Sequence, residues 1–357
     1  MRVLITGATG FLGRHLTQRL LADGLPVRVL ARSPAKAEPL IAQGAELVTG
    51  DITDDTALRR GLADVTVVYH LAGRLFIPGE PAATYYRTHV TGTRLLLARC
   101  HQHTGLVRFI YCSTTGVLGV TGDYPADETA PYRPTNIYEQ TKLEAELLVR
   151  EASQGGFPAV IVRPGLVYGP GDLHLLGFFQ AIQRRLFRPI GHQPVWLHPI
   201  YIDDMTAALV HCGRHPRAVG ECLHIAGRQP VTLAALAATI ASTLGVAPPR
   251  GWIPLPVAWA LATITDLLPG GVRQHAPLTR SRLDFLTHSR VYDVTKAQRL
   301  LGFVAATDLA EGIARTVAWY RAEGYLPKYR NRSFGLLSTG WKERVAVESK
   351  RQRGVEE

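Results

Sequence analysis

Two side chains on one predicted helix carry the most legible chemistry in this chain. Tyr138-Glu139-Gln140-Thr141-Lys142 sets a phenol and an ammonium four positions apart, hence on one helical face. A phenol with an ordinary pKa of about 10 is a poor base at neutral pH unless a cation stabilises the phenolate. Lys142 is placed to supply that cation. Upstream, the apolar run Val107 to Ser113 reads as a strand, and Tyr111-Cys112-Ser113-Thr114 closes it with hydroxyls. Such a hydroxyl can hydrogen-bond a substrate carbonyl or alcohol while the tyrosine moves the proton.

A second group of residues points to what the site would work with. Met1 to Ile5 reads as a short strand, followed at once by Thr6-Gly7-Ala8-Thr9-Gly10-Phe11-Leu12-Gly13. Glycines at this spacing let the chain turn tightly, let backbone approach a pyrophosphate and let a helix pack close on the strand. The loop opens a helix-patterned run (Phe11, Leu12, His15, Leu16, Leu20), which is the context a dinucleotide-binding unit requires. The cofactor contacts expected here are Gly7, Thr9, Gly10, Phe11, Leu12 and Gly13, with the phosphates at the helix N-terminus. At the end of the next strand an acid would bind ribose hydroxyls, whereas a 2′-phosphate needs a cation. This chain has Ala31 and Arg32 there, with Ser33 and Lys36 nearby, so NADP is expected. NAD is the alternative, since an arginine also stacks on adenine.

The elements that must hold these residues alternate. Strand-like runs at Val27 to Ala31, Glu46 to Thr49, Val65 to Leu71, Val107 to Ser113 and Pro158 to Val162 are interleaved with helical stretches near Phe11 to Asp23, Ala83 to His103 and Ile137 to Ser153. This predicts an α/β fold, a Rossmann-type doubly wound parallel sheet, with a smaller C-terminal substrate-binding lobe. The expected division is residues 1–170 for the cofactor domain with a return to the sheet near 198–212, residues 171–327 for the lobe, and 328–357 as a mobile basic tail. The run Trp252 to Leu268 is apolar but interrupted by prolines and Asp266, and it falls short of the ~20 residues that span a bilayer. A helix covering the substrate pocket is the main expectation for it, and shallow insertion at a membrane surface is the alternative.

Bulk properties narrow the partners. With 357 residues, 46% of them hydrophobic, the chain can bury a substantial core. The net charge of +11 is spread along the chain without aromatic interleaving. That pattern excludes nucleic acid and fits an anionic cofactor, a peripheral membrane contact or plain solubility. Cys100, Cys112, Cys212 and Cys222 lack the spacing of a metal site, so no metal is assigned. A strand beginning at residue 2 leaves no room for a leader before it, and a cytoplasmic location is expected.

With these residues in hand, the chain resembles the extended branch of the short-chain dehydrogenase/reductase superfamily. The resemblance rests on Thr6 to Gly13, Gly50-Asp51, His70-Leu71-Ala72-Gly73, Tyr111 to Gly119, Tyr138 to Lys142, Arg163 to Asp172, Tyr201 to Asp204, and Tyr292 through Leu301-Gly302, in order. It implies that Asp51 and Ile52 hold the adenine, Leu71, Ala72 and Gly73 the adenosine side, and Pro164, Gly165 and Val167 the nicotinamide. It further implies Tyr138 as acid/base, Lys142 on the nicotinamide ribose, and Thr114 as the catalytic hydroxyl, with Ser113 as the neighbour that could substitute. His89 stands where relatives usually carry asparagine, and reads as a packed core histidine.

Sugar-nucleotide members of the branch grip a diphosphate with arginines. The matching positions here are Leu197 and the neighbourhood of Thr287, although Arg282 and Arg290 lie close in sequence. An acid beside the catalytic threonine, usual in dehydratases, is replaced by Thr115. The expected reaction is therefore NADP(H)-linked interconversion of a secondary alcohol and ketone on a hydrophobic small molecule, similar to the 3β-hydroxysteroid dehydrogenase and dihydroflavonol reductase group. A nucleotide-sugar epimerase or dehydratase and a non-catalytic dinucleotide sensor are the alternatives. The resemblance also admits a homodimer.

Overall fold

Short, largely buried strands build the centre of the molecule. The computed structural model describes residues 1–266 and 278–327. Seven strands, β1 (Val3–Thr6), β2 (Val27–Ala31), β3 (Glu46–Thr49), β4 (Val67–His70), β5 (Arg108–Cys112), β6 (Ala159–Pro164) and β7 (Cys222–Ile225), form one sheet in the order β7-β6-β5-β4-β1-β2-β3. Every pair is parallel. Parallel strands covered on both faces lose the polar alternation of a half-exposed sheet, and β1, with all four residues buried, shows this.

Successive side chains of β1 feed opposite layers. Val3 and Ile5 pack with Leu16 and Leu20 of the Phe11–Ala22 helix and with Met205 and Leu209 of the Ile202–Arg214 helix. Leu4 faces Leu58, Leu96, Ala145 and Val149 on the other side. The strand order reverses between β1 and β4, and in such sheets the ligand crevice lies outside the carboxyl ends at that point.

β2 and β3 have the bounds expected from the sequence. The helical stretch near 83–103 is instead broken into Ala82–Tyr85, a π-helical turn Tyr86–Thr91 and Gly92–His101. The return to the sheet also differs from the 198–212 expectation. Residues 202–214 are a helix laid against the first one, Pro199–Tyr201 pairs with Leu166–Tyr168 outside the main sheet, and the returning strand is β7. His224 in the middle of that four-residue strand hides its apolar pattern.

The lobe gathers the helices Leu176–Gln183, Leu233–Leu244 and Leu309–Ala322 around Phe179, Ile240 and Val317. Its strand Arg290–Tyr292 pairs with Gly122–Ala126 from the first half. Thr121 secures this pairing: its hydroxyl donates to Val291 O (3.1 Å) and accepts from the Val291 N–H (2.8 Å). The apolar run near 252–268 contains the helix Leu255–Asp266. Among the described residues no helix is long and apolar enough to cross a membrane. Leu267, Leu268 and the basic tail expected at 328–357 lie outside the described residues.

Candidate active site

Parallel pairing collects the candidate residues at one edge of the sheet. The glycine loop follows β1, Arg32 follows β2, Asp51 and Ile52 follow β3, Leu71 to Gly73 follow β4, Ser113 and Thr114 close or follow β5, and Pro164 to Val167 end or follow β6. Contacts tie neighbouring loops together. The Ala72 N–H donates to Thr6 Oγ1 (3.3 Å), and Thr115 Oγ1 donates to Pro164 O (2.9 Å).

The loop after β1 fits a pyrophosphate. Gly7 sits at φ +73°, and a Cβ there would lie 2.7 Å from Ala72 N; one at Gly13 would lie 2.2 Å from Gly7 O. No larger residue serves at either place. The following helix begins at Gly10 with neither a capping side chain nor an acid in its first turn. Its N-terminal amides and dipole therefore suit an anion beside the accessible Thr9, Gly10, Phe11 and Leu12.

At the adenosine end the structure adds a residue that sequence reasoning missed. Arg32 approaches Asp51 at 3.8 Å, and Arg87, from the π-helical turn, approaches the same carboxylate at 3.9 Å. Burial works against ionisation of Asp51, but hydrogen bonds from the Thr53 hydroxyl and N–H, with the two arginines, hold its pKa below the ordinary carboxylate value. Two cations thus share one acid. No periodicity joins residues 32, 51 and 87, so only the fold reveals the cluster.

The helical turn that carries Tyr138 is pinned at its start. Asn136 caps the Ile137–Gln154 helix by accepting from the Glu139 N–H (3.0 Å), and the Glu139 carboxylate reaches back to the Thr135 N–H (2.6 Å). Caps of this kind contribute about 1 kcal/mol and set where the helix begins. Tyr138 consequently occupies the first turn, with the Thr114 hydroxyl close enough to act on its pKa. Burial pushes the phenol well above its ordinary pKa, and the neighbouring Thr114 hydroxyl opposes this. Lys142, one turn on, donates from Nζ to Cys112 O and lies 4.4 Å above the Tyr111 ring. Burial lowers its pKa to about 8.

The two adjacent hydroxyls are separated by the structure. Thr114 is half-buried beside Tyr138, whereas buried Ser113 donates to Glu146 Oε2 (2.6 Å), one turn further along the helix than Lys142. There Glu146 meets the fully buried Arg163 guanidinium in a two-pronged contact (2.6 and 3.1 Å), joined by Tyr132. The Ser113 hydroxyl is committed to that network.

His89 is buried as expected. Its Nε2 accepts from the Arg74 N–H (2.9 Å), which leaves Nδ1 to donate to Thr141 Oγ1 (2.8 Å). Burial, with help from Lys142, lowers its pKa to about 3, so the ring is neutral and spans the β4 loop and the catalytic helix. Its edge contacts Tyr138, with ring centroids 5.7 Å apart.

These features can bind a dinucleotide, hold a substrate oxygen between Thr114 and Tyr138, and move a proton to or from it. The profile of the NAD dependent epimerase/dehydratase family matches residues 3–226. The chain is 28% identical to 2-alkyl-3-oxoalkanoate reductase of Shewanella oneidensis, covering 88% of this chain and 85% of that one. It is also 28% identical to 3beta-hydroxysteroid-dehydrogenase/decarboxylase isoform 1 of Arabidopsis thaliana, covering 88% and 78%. Among solved structures, MoeE5 in complex with UDP-glucose and NAD superposes with a TM-score of 0.71 at 26% identity, over 90% of this chain and 99% of that one. The chain belongs to the NAD dependent epimerase/dehydratase family and is an NAD(P)-dependent enzyme of the extended short-chain dehydrogenase/reductase type.

Proposed function

We propose that this enzyme interconverts a secondary alcohol and a ketone on a hydrophobic small molecule, with NADP(H) as its cofactor. The observation that carries the reading is Leu197. At the position where a diphosphate-gripping cation would stand, its side chain is buried in an apolar cluster with Phe179 and Tyr201. A charged group there would need a partner that the cluster does not offer.

When bound, the nicotinamide supplies or accepts hydride at the substrate carbon. Tyr138 gives the proton to the carbonyl oxygen in the reductive direction and takes it back in the other. Thr114 donates a hydrogen bond to the same oxygen, and the Lys142 charge stabilises the phenolate that forms. Arg32 and Arg87, outnumbering Asp51, suit a 2′-phosphate. The four free cysteines suit a reducing compartment such as the cytoplasm.

The second reading is a nucleotide-sugar epimerase, favoured by the likeness to a structure holding UDP-glucose and NAD. Thermal melting with cofactor present separates the two. A ligand at a hundred times its dissociation constant adds about 2.7 kcal/mol of stability. Apolar ketones should produce such a shift and UDP-sugars none. A clear shift with UDP-sugars would put the epimerase first.

A further inference from the structure

The Leu255–Asp266 helix is built the opposite way round from an ordinary surface helix. Ala258 and Ala262 are fully buried against Ile190 and Leu283, while Val257, Trp259 and Ile264 are 49%, 46% and 60% exposed. Leu255 and Leu261 are exposed too. No charged residue occurs from Trp252 to Thr265. A helix apolar on all sides normally lies inside a protein, and an exposed apolar surface of this kind marks a contact with something else.

What flanks the helix names the occupant. Ile253, three residues before Pro256, is hydrogen-bonded into Pro189 and Gly191 (2.8 and 2.9 Å), which places Arg188 and Arg250 beside the start of the helix. Arg185, Arg188 and Arg250 line one hollow whose other walls are apolar and include no carboxylate. Among the described residues, Arg188 donates to the carbonyls of Arg185 and Phe187 (both 2.9 Å). The exposed Leu186 lies among them. A second copy packed on this face by a two-fold axis would gather these arginines from both molecules along one rim, unanswered. A bilayer offers hydrocarbon to the tryptophans and leucines and anionic headgroups to the arginines.

We infer that this helix, with the arginines beside its N-terminus, docks the protein on the surface of an anionic lipid bilayer, lying in the headgroup region without crossing. The inference is independent of the substrate reading, because its test measures binding rather than turnover. The full-length protein is sedimented with vesicles of phosphatidylcholine and phosphatidylglycerol in equal parts, and with phosphatidylcholine alone, while its mass in solution is followed by light scattering. The protein should pellet with the anionic vesicles and release as salt rises. Trp259→Ser with Ile264→Ser should abolish pelleting, and Arg188→Ala and Arg250→Ala should each weaken it about fivefold. These positions are exposed, and unchanged melting and cofactor binding would confirm that the variants fold. Absence of pelleting, or pelleting indifferent to both sets of variants, overturns the inference. So does a wild-type dimer that becomes monomeric with Trp259→Ser and Ile264→Ser, which would assign the face to a second copy.

Discussion

Lys142, on the Ile137–Gln154 helix, and Arg163, on β6 packed beside it, are two buried cations treated in opposite ways. Arg163 is matched in full: two bonds to Glu146, one to Tyr132 and one to Glu128 O (3.3 Å). Burial opposes its charge, yet the Glu146 contact holds its pKa above the ordinary value. Lys142 receives a carbonyl and a ring face but no carboxylate, and burial drives its pKa down to about 8. A neutralised cation holds the scaffold together, whereas one left in surplus is available to a reacting group. The Arg32–Asp51–Arg87 cluster, with two cations on one acid, belongs with Lys142.

The largest effect should come from removing the Tyr138 hydroxyl, the group that the Lys142 charge is proposed to assist. Tyr138→Phe should lower turnover by about 10²–10⁴-fold and leave cofactor affinity unchanged, since only the hydroxyl is lost. Retained turnover would remove Tyr138 from proton transfer and take the purpose of the surplus charge with it. On the matched side, Arg163→Met leaves Glu146 buried without its main partner. It should destabilise the fold by about 3–5 kcal/mol in urea unfolding. A loss under about 1 kcal/mol would mean that the network is solvated and the contrast with Lys142 is false.

A third experiment reads the cost of the surplus directly. Lys142 has a folded-state pKa of about 8 against an ordinary 10.5. The stability linked to a depressed pKa is present above the unfolded value and lost as pH falls through the folded one. Lys142→Met in the absence of cofactor should therefore be inactive but more stable than the wild type at pH 7, by up to about 3 kcal/mol. The gain should close as pH rises from about 8 to 10.5. A less stable variant at pH 7 would show that the ammonium is compensated after all. The smallest effect is expected at the exposed cluster. Arg32→Ala should weaken NADPH about tenfold more than NADH, a charge-assisted phosphate contact exceeding a neutral one by roughly that margin. Equal losses would indicate stacking on adenine instead.

Local pattern accounts for what the sequence disclosed. The glycine loop, β2, β3 and the Tyr138–Lys142 pair are each contiguous or one helical turn apart, so periodicity reveals them. Counting along the chain selected Thr114 as the candidate hydroxyl, and the fold brings it close to Tyr138. What stayed hidden depends on distant partners. Glu146 and Arg163 meet only because β6 lies behind the catalytic helix, and Arg87 reaches Asp51 from a π-helical turn that an α-helical period does not anticipate. The eight-residue helices Pro34–Ile41 and Asp55–Leu62 were missed because they are short, the first with Pro39 inside it. The outward apolar face of residues 255–266 carries no periodic signal at all, since every side of that helix is apolar.

The stitch at Thr121 has a mechanical consequence. The lobe strand Arg290–Tyr292 is fastened through Val291 to Thr121, seven positions from Thr114, and the Tyr292 phenol lies close to the Thr115 hydroxyl. A movement of the lobe strand would therefore pull on the segment that follows Thr114. In hydrogen-exchange terms, the amides around 114–121 and 290–292 should open together, so a ligand that tightens the lobe should add protection to both segments.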